Sequence, residues 1–276
     1  MIFVRDKGQM CNNILQYAHF YAWARENNRS CMSMRFAYKY QYFKICDTKW
    51  HNMFVYVVAK FLAKIHVLPV ISYWGNDRDL VEQKILEHKN IIVEGWNIRY
   101  YDLFEKYKSE IQELFEFKKN IRKNVETLLK SSTLDDAVTI GVHIRRGDYK
   151  TIFNGRYYFE DSTYIDYIKQ TVDLFAGKKV TVYICSNDPS LDKNRYREAI
   201  PTCEVCFPNG NAAEDLCLLS SCDYIIGPPS SYSLVAAMYG KSLLCWMRKD
   251  KESVAREDFK DFNTQFRRFD DYWMPQ

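Results

Sequence analysis

Along the second half of the chain, short apolar runs rich in β-branched residues alternate with segments whose apolar residues recur every three or four positions. The runs cover residues 138–144, 180–185, 224–226 and 243–246. Buried parallel strands read as continuous apolar runs, and helical spacing between them supplies the crossovers, so the pattern predicts a doubly wound α/β unit. The first half repeats the theme less regularly. Strands are expected at residues 2–4, 31–34 and 91–94, with a loop around Gly8 and a helix over 14–25. Between 101 and 129, Phe104, Tyr107, Ile111, Leu114 and Phe115 keep helical spacing. The polar stretch 131–136 follows a helix pattern and precedes a strand, which suits a hinge. Two α/β domains are therefore predicted, 1–133 and 134–276.

Composition agrees with two cores: the chain has 276 residues, 47% of them hydrophobic. With 10 Gly and 7 Pro, no stretch has the make-up of a long flexible linker. The balance of 39 basic and 35 acidic residues is too even for a protein that coats nucleic acid, but leaves anionic small molecules as partners. Nine cysteines, scattered among apolar neighbours, indicate a reducing, cytoplasmic setting. The one CxxC, Cys203 and Cys206, lacks a second pair and is read as a strand before the turn at Pro208, Asn209 and Gly210. No long apolar leader follows Met1, so export by that route is not expected. Residues 53–72 are the most apolar, yet Lys60, Lys64 and His66 interrupt them and Pro69 would end a helix. A membrane span is excluded there. Burial of that helix between the domains is expected, with peripheral contact at the inner face of a membrane, or presentation of a lipid-linked acceptor, as the alternative.

The strongest chemical signal is the run from His143 to Tyr149, placed where the strand from Val138 ends. Ligands of open α/β sheets bind beyond the carboxyl ends of the strands, and adjacent Arg145 and Arg146 suit an anionic ligand there. The alternative is a structural ion-pair corner with Asp148. Two further strand ends carry polar, turn-forming residues: Ser186, Asn187 and Asp188 after one, Gly227 to Ser231 after another. Together the three ends predict one ligand-binding rim. Ser230 and Ser231 precede a helix pattern from Tyr232, so their hydroxyls and the amides up to Tyr232 are candidates for a helix cap, a phosphate cradle, or both. Asn211 and Glu214 form an N-x-x-E helix start. Asp215 then shares a face with Leu218, Leu219 and Cys222, which turns its carboxylate towards the apolar side and suits it to the paired N–H donors of guanine. Asp148 and Glu94 each lie near a strand end and are candidates for a general base.

These residues resemble a known family. GVHIRRGDY, from Gly141 to Tyr149, is similar to the HxRRxDY motif of the glycan α-1,2-fucosyltransferases and of the superfamily that includes α-1,6- and protein O-fucosyltransferases. GQMCNNILQYA, from Gly8, resembles that family's GGLGNQMFQYA: Gly8, Asn12, Gln16, Tyr17 and Ala18 match, and Gln9, Cys11 and Asn13 depart. Ser186 to Asp188 is similar to the family's Ser-Asp-Asp, and the segment from Asp215 to Ser231 to its donor-site motif. The aromatic FSWWGAW that follows in the family is here Tyr232, Ser233, Leu234, Val235, Ala236, Ala237 and Met238. The resemblance implies a GT-B-like fold of two Rossmann-like domains facing a cleft, a GDP-fucose donor, inversion at the anomeric carbon and no required metal or cofactor. It implies donor contacts from His143, Arg145, Arg146, Ser186, Asp188, Asp215, Ser230, Ser231 and Tyr232, with Asn12, Gln16 and Glu94 towards the acceptor or cleft. Arg145 would neutralise the leaving diphosphate, with Asp148 as its catalytic companion, and a glycan or lipid-linked glycan would be the acceptor. The rivals are a metal-dependent GT-A enzyme, because Asp77, Arg78 and Asp79 form a DxD, and a non-catalytic binder of sugar nucleotides or glycans. Asp77 and Asp79 also open a helix pattern, where acidic residues act as caps.

Overall fold

The structure, a computed structural model, describes residues 1–132 and 136–273. The chain divides into two compact units, Met1–Lys118 and a second that starts at Lys119. The expected break at 133/134 lies outside the described residues.

In the first unit the elements run β1 (Ile2–Arg5), α1 (Met10–Glu26), β2 (Cys31–Ser33), α2 (Met53–Lys64), β3 (Val70–Ser72), α3 (Arg78–Glu87), β4 (Ile91–Glu94), α4 (Tyr101–Lys106) and α5 (Lys108–Leu114). Among the described residues the strands form one parallel sheet in the order β2-β1-β4-β3. β1 and β4 are its centre, and Ile2, Val4, Ile91, Ile92 and Val93 are buried there. Helix α1 is buried on nearly all sides, which erases the amphipathic stripe and explains why its first turn, from Met10, is not legible as periodicity. His19 within it accepts a hydrogen bond from Tyr100 N at 3.0 Å, and burial holds its imidazole well below the ordinary histidine range, as expected of a packing residue. The amphipathic stretch 101–129 is covered by three helices: α4 and α5 meet at Tyr107, and a bridge between Phe43 and Phe117 precedes α6 (Lys119–Ser132).

Helix α2 departs from the expectation of burial. Of its 12 residues Ala59 is the buried one, while Phe54 is 77% exposed and Phe61 58%. Asn52 caps it, accepting from Val55 N at 3.0 Å. β3, which no periodicity announces, is a three-residue edge strand after Pro69.

The second unit contains α6 (Lys119–Ser132), β5 (Val138–Ile144), α7 (Asp161–Asp173), β6 (Val180–Ser186), α8 (Lys193–Ala199), β7 (Glu204–Cys206), α9 (Ala212–Ser220), β8 (Tyr224–Gly227), α10 (Ser231–Tyr239), β9 (Leu243–Trp246), α11 (Phe262–Arg267) and α12 (Phe269–Trp273). Its parallel sheet has the order β7-β6-β5-β8-β9. That is the doubly wound arrangement the apolar runs predict, and the strand order reverses between β5 and β8. Ile140, Val142, Val182, Ile184 and Ile226 form the buried layer. Cys206 ends β7, and all nine cysteines are free thiols, in accord with the strand reading of the CxxC. Gly141, in mid-strand, sits under α9: a Cβ there would meet Leu219 Cδ2 at 2.7 Å, so glycine lets the helix approach the sheet closely.

Candidate functional site

A reversal of strand order leaves a crevice at the carboxyl ends of the two strands that flank it. In the second unit those ends carry His143, Arg145 and the segment from Gly227 to Tyr232. The backbone here turns away from the sheet at Gly147, whose φ of +65° favours glycine, and Asn187 Oδ1 steadies the turn by accepting from Arg146 N at 2.9 Å.

The two arginines of the motif have different fates. Arg146 is not the exposed twin that adjacency suggests. Its guanidinium is buried, donates to Phe159 O at 2.7 Å and to Asp161 Oδ1, and lies over the Tyr158 ring at 5.1 Å. Arg145 is half-buried. It pairs with Asp148 at 2.8 Å and rests over the Tyr149 ring at 5.4 Å, so its charge is oriented at the strand end while part of its surface faces out. Asp148 thus acts here as the partner that positions Arg145.

His143 is buried, and that burial, reinforced by the Arg145 charge, pushes its imidazole down to about 3, so the ring is neutral near pH 7. Its Nδ1 lies 3.5 Å from Ser230 Oγ and its ring centre 4.7 Å from that of Tyr232. Ser230 caps α10, its Oγ accepting from Ser233 N at 3.2 Å. Ser231 opens the helix. Tyr232 donates to Ala212 O at 2.7 Å and so ties the start of α10 to the start of α9. At the end of β6, Ser186 Oγ accepts from Asp188 N at 3.1 Å, and Asp188 Oδ1 accepts from Ser190 N at 2.9 Å. The Ser190 hydroxyl, which donates to the same oxygen at 2.6 Å, and then the Ser190 N–H hold Asp188 below the ordinary carboxylate range. Both residues shape the loop beyond the strand.

Asp215 stands apart. The capping box of Asn211 and Glu214, with Glu214 accepting from Asn124 Nδ2 at 2.6 Å, fixes the first turn of α9. This turns the Asp215 carboxylate inwards, where the Cys185 thiol donates a weak hydrogen bond to it and tempers the rise in its pKa. Its Oδ1 is buried without a hydrogen-bond partner among the described residues. Burial first, and the Glu214 charge second, raise its carboxyl to about 7. A buried acceptor left unsatisfied is costly unless a ligand completes it.

The other sequence candidates belong to the first unit. Gln16 is fully occupied in bracing the loop after β1: Nε2 donates to Lys7 O at 2.6 Å and Oε1 accepts from Lys7 N at 3.3 Å. Asn12 is half-buried under Gly8, where a Cβ would meet Asn12 Nδ2 at 2.7 Å. Glu94, at the end of β4, pairs with Arg5 at 3.2 Å and Lys7 at 3.7 Å. Sequence reasoning passed over Asp6. It lies wholly buried after β1, accepts from the Ser33 hydroxyl, keeps Oδ1 without a partner among the described residues, and burial raises its carboxyl to about 8. It also lines a cavity of about 720 Å³ with Arg5, Arg35, Tyr38 and Tyr56. Its position directly after a buried strand was the available signal. Of the DxD, Asp77 caps α3, accepting from Asp79 N at 2.9 Å and Leu80 N at 3.1 Å.

Residues 1–242 match the family described as Glycosyl transferase family 11. No curated protein matches the sequence. Among solved structures, a mutant of Arabidopsis thaliana FUT1 in complex with GDP is similar at a TM-score of 0.64 and 14% identity, over 94% of this chain and 73% of that one. POFUT1 in complex with GDP-fucose is similar at 0.54 and 10% identity, over 88% of this chain and 96% of that one. The NodZ α-1,6-fucosyltransferase co-crystallised with GDP gives 0.56 and 13%, over 88% and 94%. At such identities the likeness is one of fold.

Proposed function

The chain belongs to glycosyl transferase family 11 and is a glycosyltransferase; from that premise we propose that it moves fucose from GDP-fucose to a hydroxyl of a glycan or lipid-linked glycan. The linkage would be of the α-1,2 type, formed with inversion at the anomeric carbon and without a required metal. The observation that carries the donor is Asp215. Its inward carboxylate keeps an acceptor without a partner among the described residues at the start of α9, which Tyr232 ties to the start of α10, and guanine offers N1–H and the exocyclic amine side by side. Adenine and uracil do not offer that pair. Solved structures of the same fold hold GDP or GDP-fucose, which supports the same donor.

The chemistry follows from charge. As the acceptor hydroxyl oxygen attacks the anomeric carbon it gives up its proton to a carboxylate base, for which Asp148 and Glu94 are the candidates, the bond from that carbon to the β-phosphate oxygen breaks, and GDP leaves with added negative charge. Arg145 supplies the compensating cation, held in place by Asp148 and the Tyr149 face, and the amides at the start of α10 add their dipoles. Neutral His143 and Tyr232 wall this side. Arg146 contributes by anchoring the turn rather than by reaching the phosphate.

Calorimetric titration of GDP, ADP and UDP tests the reading. GDP should bind best, and Asp215→Asn should weaken it by roughly 1 to 3 kcal/mol, since one acceptor becomes a clashing donor. Equal affinity for the three nucleotides, or an unaffected mutant, refutes the assignment. A panel of GDP-sugars in a transfer assay tests fucose itself.

A further inference from the structure

We propose that helix α2 and its flanks form a surface that seats the protein on an anionic lipid bilayer. This inference rests on the first unit alone and goes beyond the donor chemistry.

The helix turns its apolar side outwards. Trp50, Phe54, Val57, Phe61, Ile65 and Trp74 are all exposed, at 43%, 77%, 52%, 58%, 47% and 69%. On a helix, residues 54, 57, 58, 61 and 65 share one stripe, while Ala59 lies on the opposite side, packed with Met34, Leu68 and Ile92. An exposed ridge of this kind marks an interaction surface rather than ordinary scatter of surface apolar residues. Its length excludes a span: 12 residues cover about 18 Å of rise, against about 30 Å of hydrocarbon. No described helix is long and apolar enough to cross a membrane. The ridge lies on a surface or is covered by a partner.

Charge decides between those occupants. From Thr48 to Asn76 the chain contains no acidic residue, while Lys49, Lys60 and Lys64 supply three cations. Lys60 and Lys64 flank the stripe. Beside it opens the cavity that they line with Arg5, Arg35 and one acidic residue, the buried Asp6. A second copy docked by a two-fold axis would face this patch with itself, placing cation against cation. Lysine is also depleted from protein interfaces. A bilayer with anionic headgroups meets both features: the aromatic and aliphatic ridge enters the boundary, and the lysines keep their stems along it and their ammonium groups at the headgroups. Lys49 already lies over the Trp50 ring at 5.0 Å and Lys60 over the Tyr56 ring at 5.8 Å. Two tryptophans at the flanks suit the polar–apolar boundary.

The test is flotation of the full chain with vesicles of phosphatidylcholine containing about 30% phosphatidylglycerol, against phosphatidylcholine alone. The chain should float with the anionic vesicles, should partition at least about tenfold less onto the neutral ones, and should be released by salt. Phe54→Ser with Ile65→Ser, and separately Lys60→Glu with Lys64→Glu, should each lower partition onto the anionic vesicles by at least about tenfold. Melting temperature and GDP titration report that each variant is folded, and these exposed positions should leave both unchanged. A wild-type chain that stays at the bottom overturns the proposal, as do variants that float as well as wild type. A concentration-dependent dimer in light scattering, abolished by Phe54→Ser and unaccompanied by flotation, assigns the ridge to a second copy instead.

Discussion

The rims of the two parallel sheets use similar residues for opposite ends. Where β1 and β4 end, Gln16 grips both backbone groups of Lys7 and Glu94 is shared by Arg5 and Lys7, while the buried Asp6 keeps Oδ1 without a partner among the described residues. Where β5 and β8 end, the neighbours Arg145 and Arg146 divide the work. Arg146 is buried against Asp161 and Phe159, with its Nε left without a partner among the described residues, while Arg145 keeps an outward surface and Asp215 keeps an unfilled acceptor. Residue type alone does not separate a brace from a candidate ligand group: Asp6 at the first rim and Asp215 at the second each keep a buried acceptor without a partner among the described residues, whereas Gln16 has none left over.

That contrast is sharpened first by the paired arginines. Arg146→Ala strips Asp161 of its buried partner, although Arg195 at 3.8 Å and the Tyr196 hydroxyl at 2.7 Å remain beside it. Stability measured by urea unfolding should fall by about 2–4 kcal/mol. Arg145→Ala should leave stability within about 1 kcal/mol, because its ion pair is partly exposed, yet lower turnover at least about tenfold. If both mutants unfold alike, the division of labour between them is wrong.

The next expected effect is in the pH dependence of GDP binding. The carboxyl of Asp215, raised to about 7 by burial, must be ionised to accept from guanine. Affinity should therefore be constant above about 7 and fall as pH drops below it, by up to about tenfold per unit. In Asp215→Asn the slope should vanish, and a wild-type profile that is flat from pH 5 to 8 would break the assignment.

Asp6 offers the counterpart on the other sheet, read as stability. Burial raises its carboxyl to about 8, so the folded chain holds a proton that the unfolded chain releases in the ordinary carboxylate range. The contribution is complete below that range and is lost as pH rises through about 8. Asp6→Asn should remove the slope, gaining on the order of 1 kcal/mol or more over wild type at pH 8 in thermal or urea unfolding.

Smallest is the effect at the DxD. Loss of the α3 cap in Asp77→Ala should cost about 0.5–2 kcal/mol of stability and leave transfer intact, in the presence of EDTA as in its absence. Activity that disappears with chelator and returns with Mn²⁺ would make that pair a metal site.

Much of the second unit was legible because its strands are buried on both faces and read as unbroken apolar runs. Val138, Val180, Tyr224 and Leu243 all begin strands where the runs begin. The inward turn of Asp215 was equally readable, since an N-x-x-E cap fixes the phase of the helix that follows. The first unit was harder. Helix α1 is surrounded by protein and so lacks a polar face to give it period, and β3 is too short for a pattern. For α2 the sequence specified a helix and an apolar stripe, but whether a stripe meets protein or solvent depends on what tertiary structure places against it. The fate of Arg146 was hidden for a like reason: its partners Phe159 and Asp161 lie on a separate segment, and no local spacing announces them.

If Asp215 reads the base as proposed, Gly141 bears on nucleotide choice in a way that matters for redesign. An added methyl at that strand position would meet the side-chain ends of Leu219 and Cys222, so the glycine leaves room for α9 to pack close on the sheet. The same helix carries Asp215 on its first turn, so the reach of the carboxylate is a property of layer spacing as much as of its own identity. An engineer who wants this scaffold to take adenine or uracil nucleotides would gain little by exchanging Asp215 alone. The spacing must be retuned with it, through Gly141 and Leu219 together, so that the new recognition group arrives at the right depth.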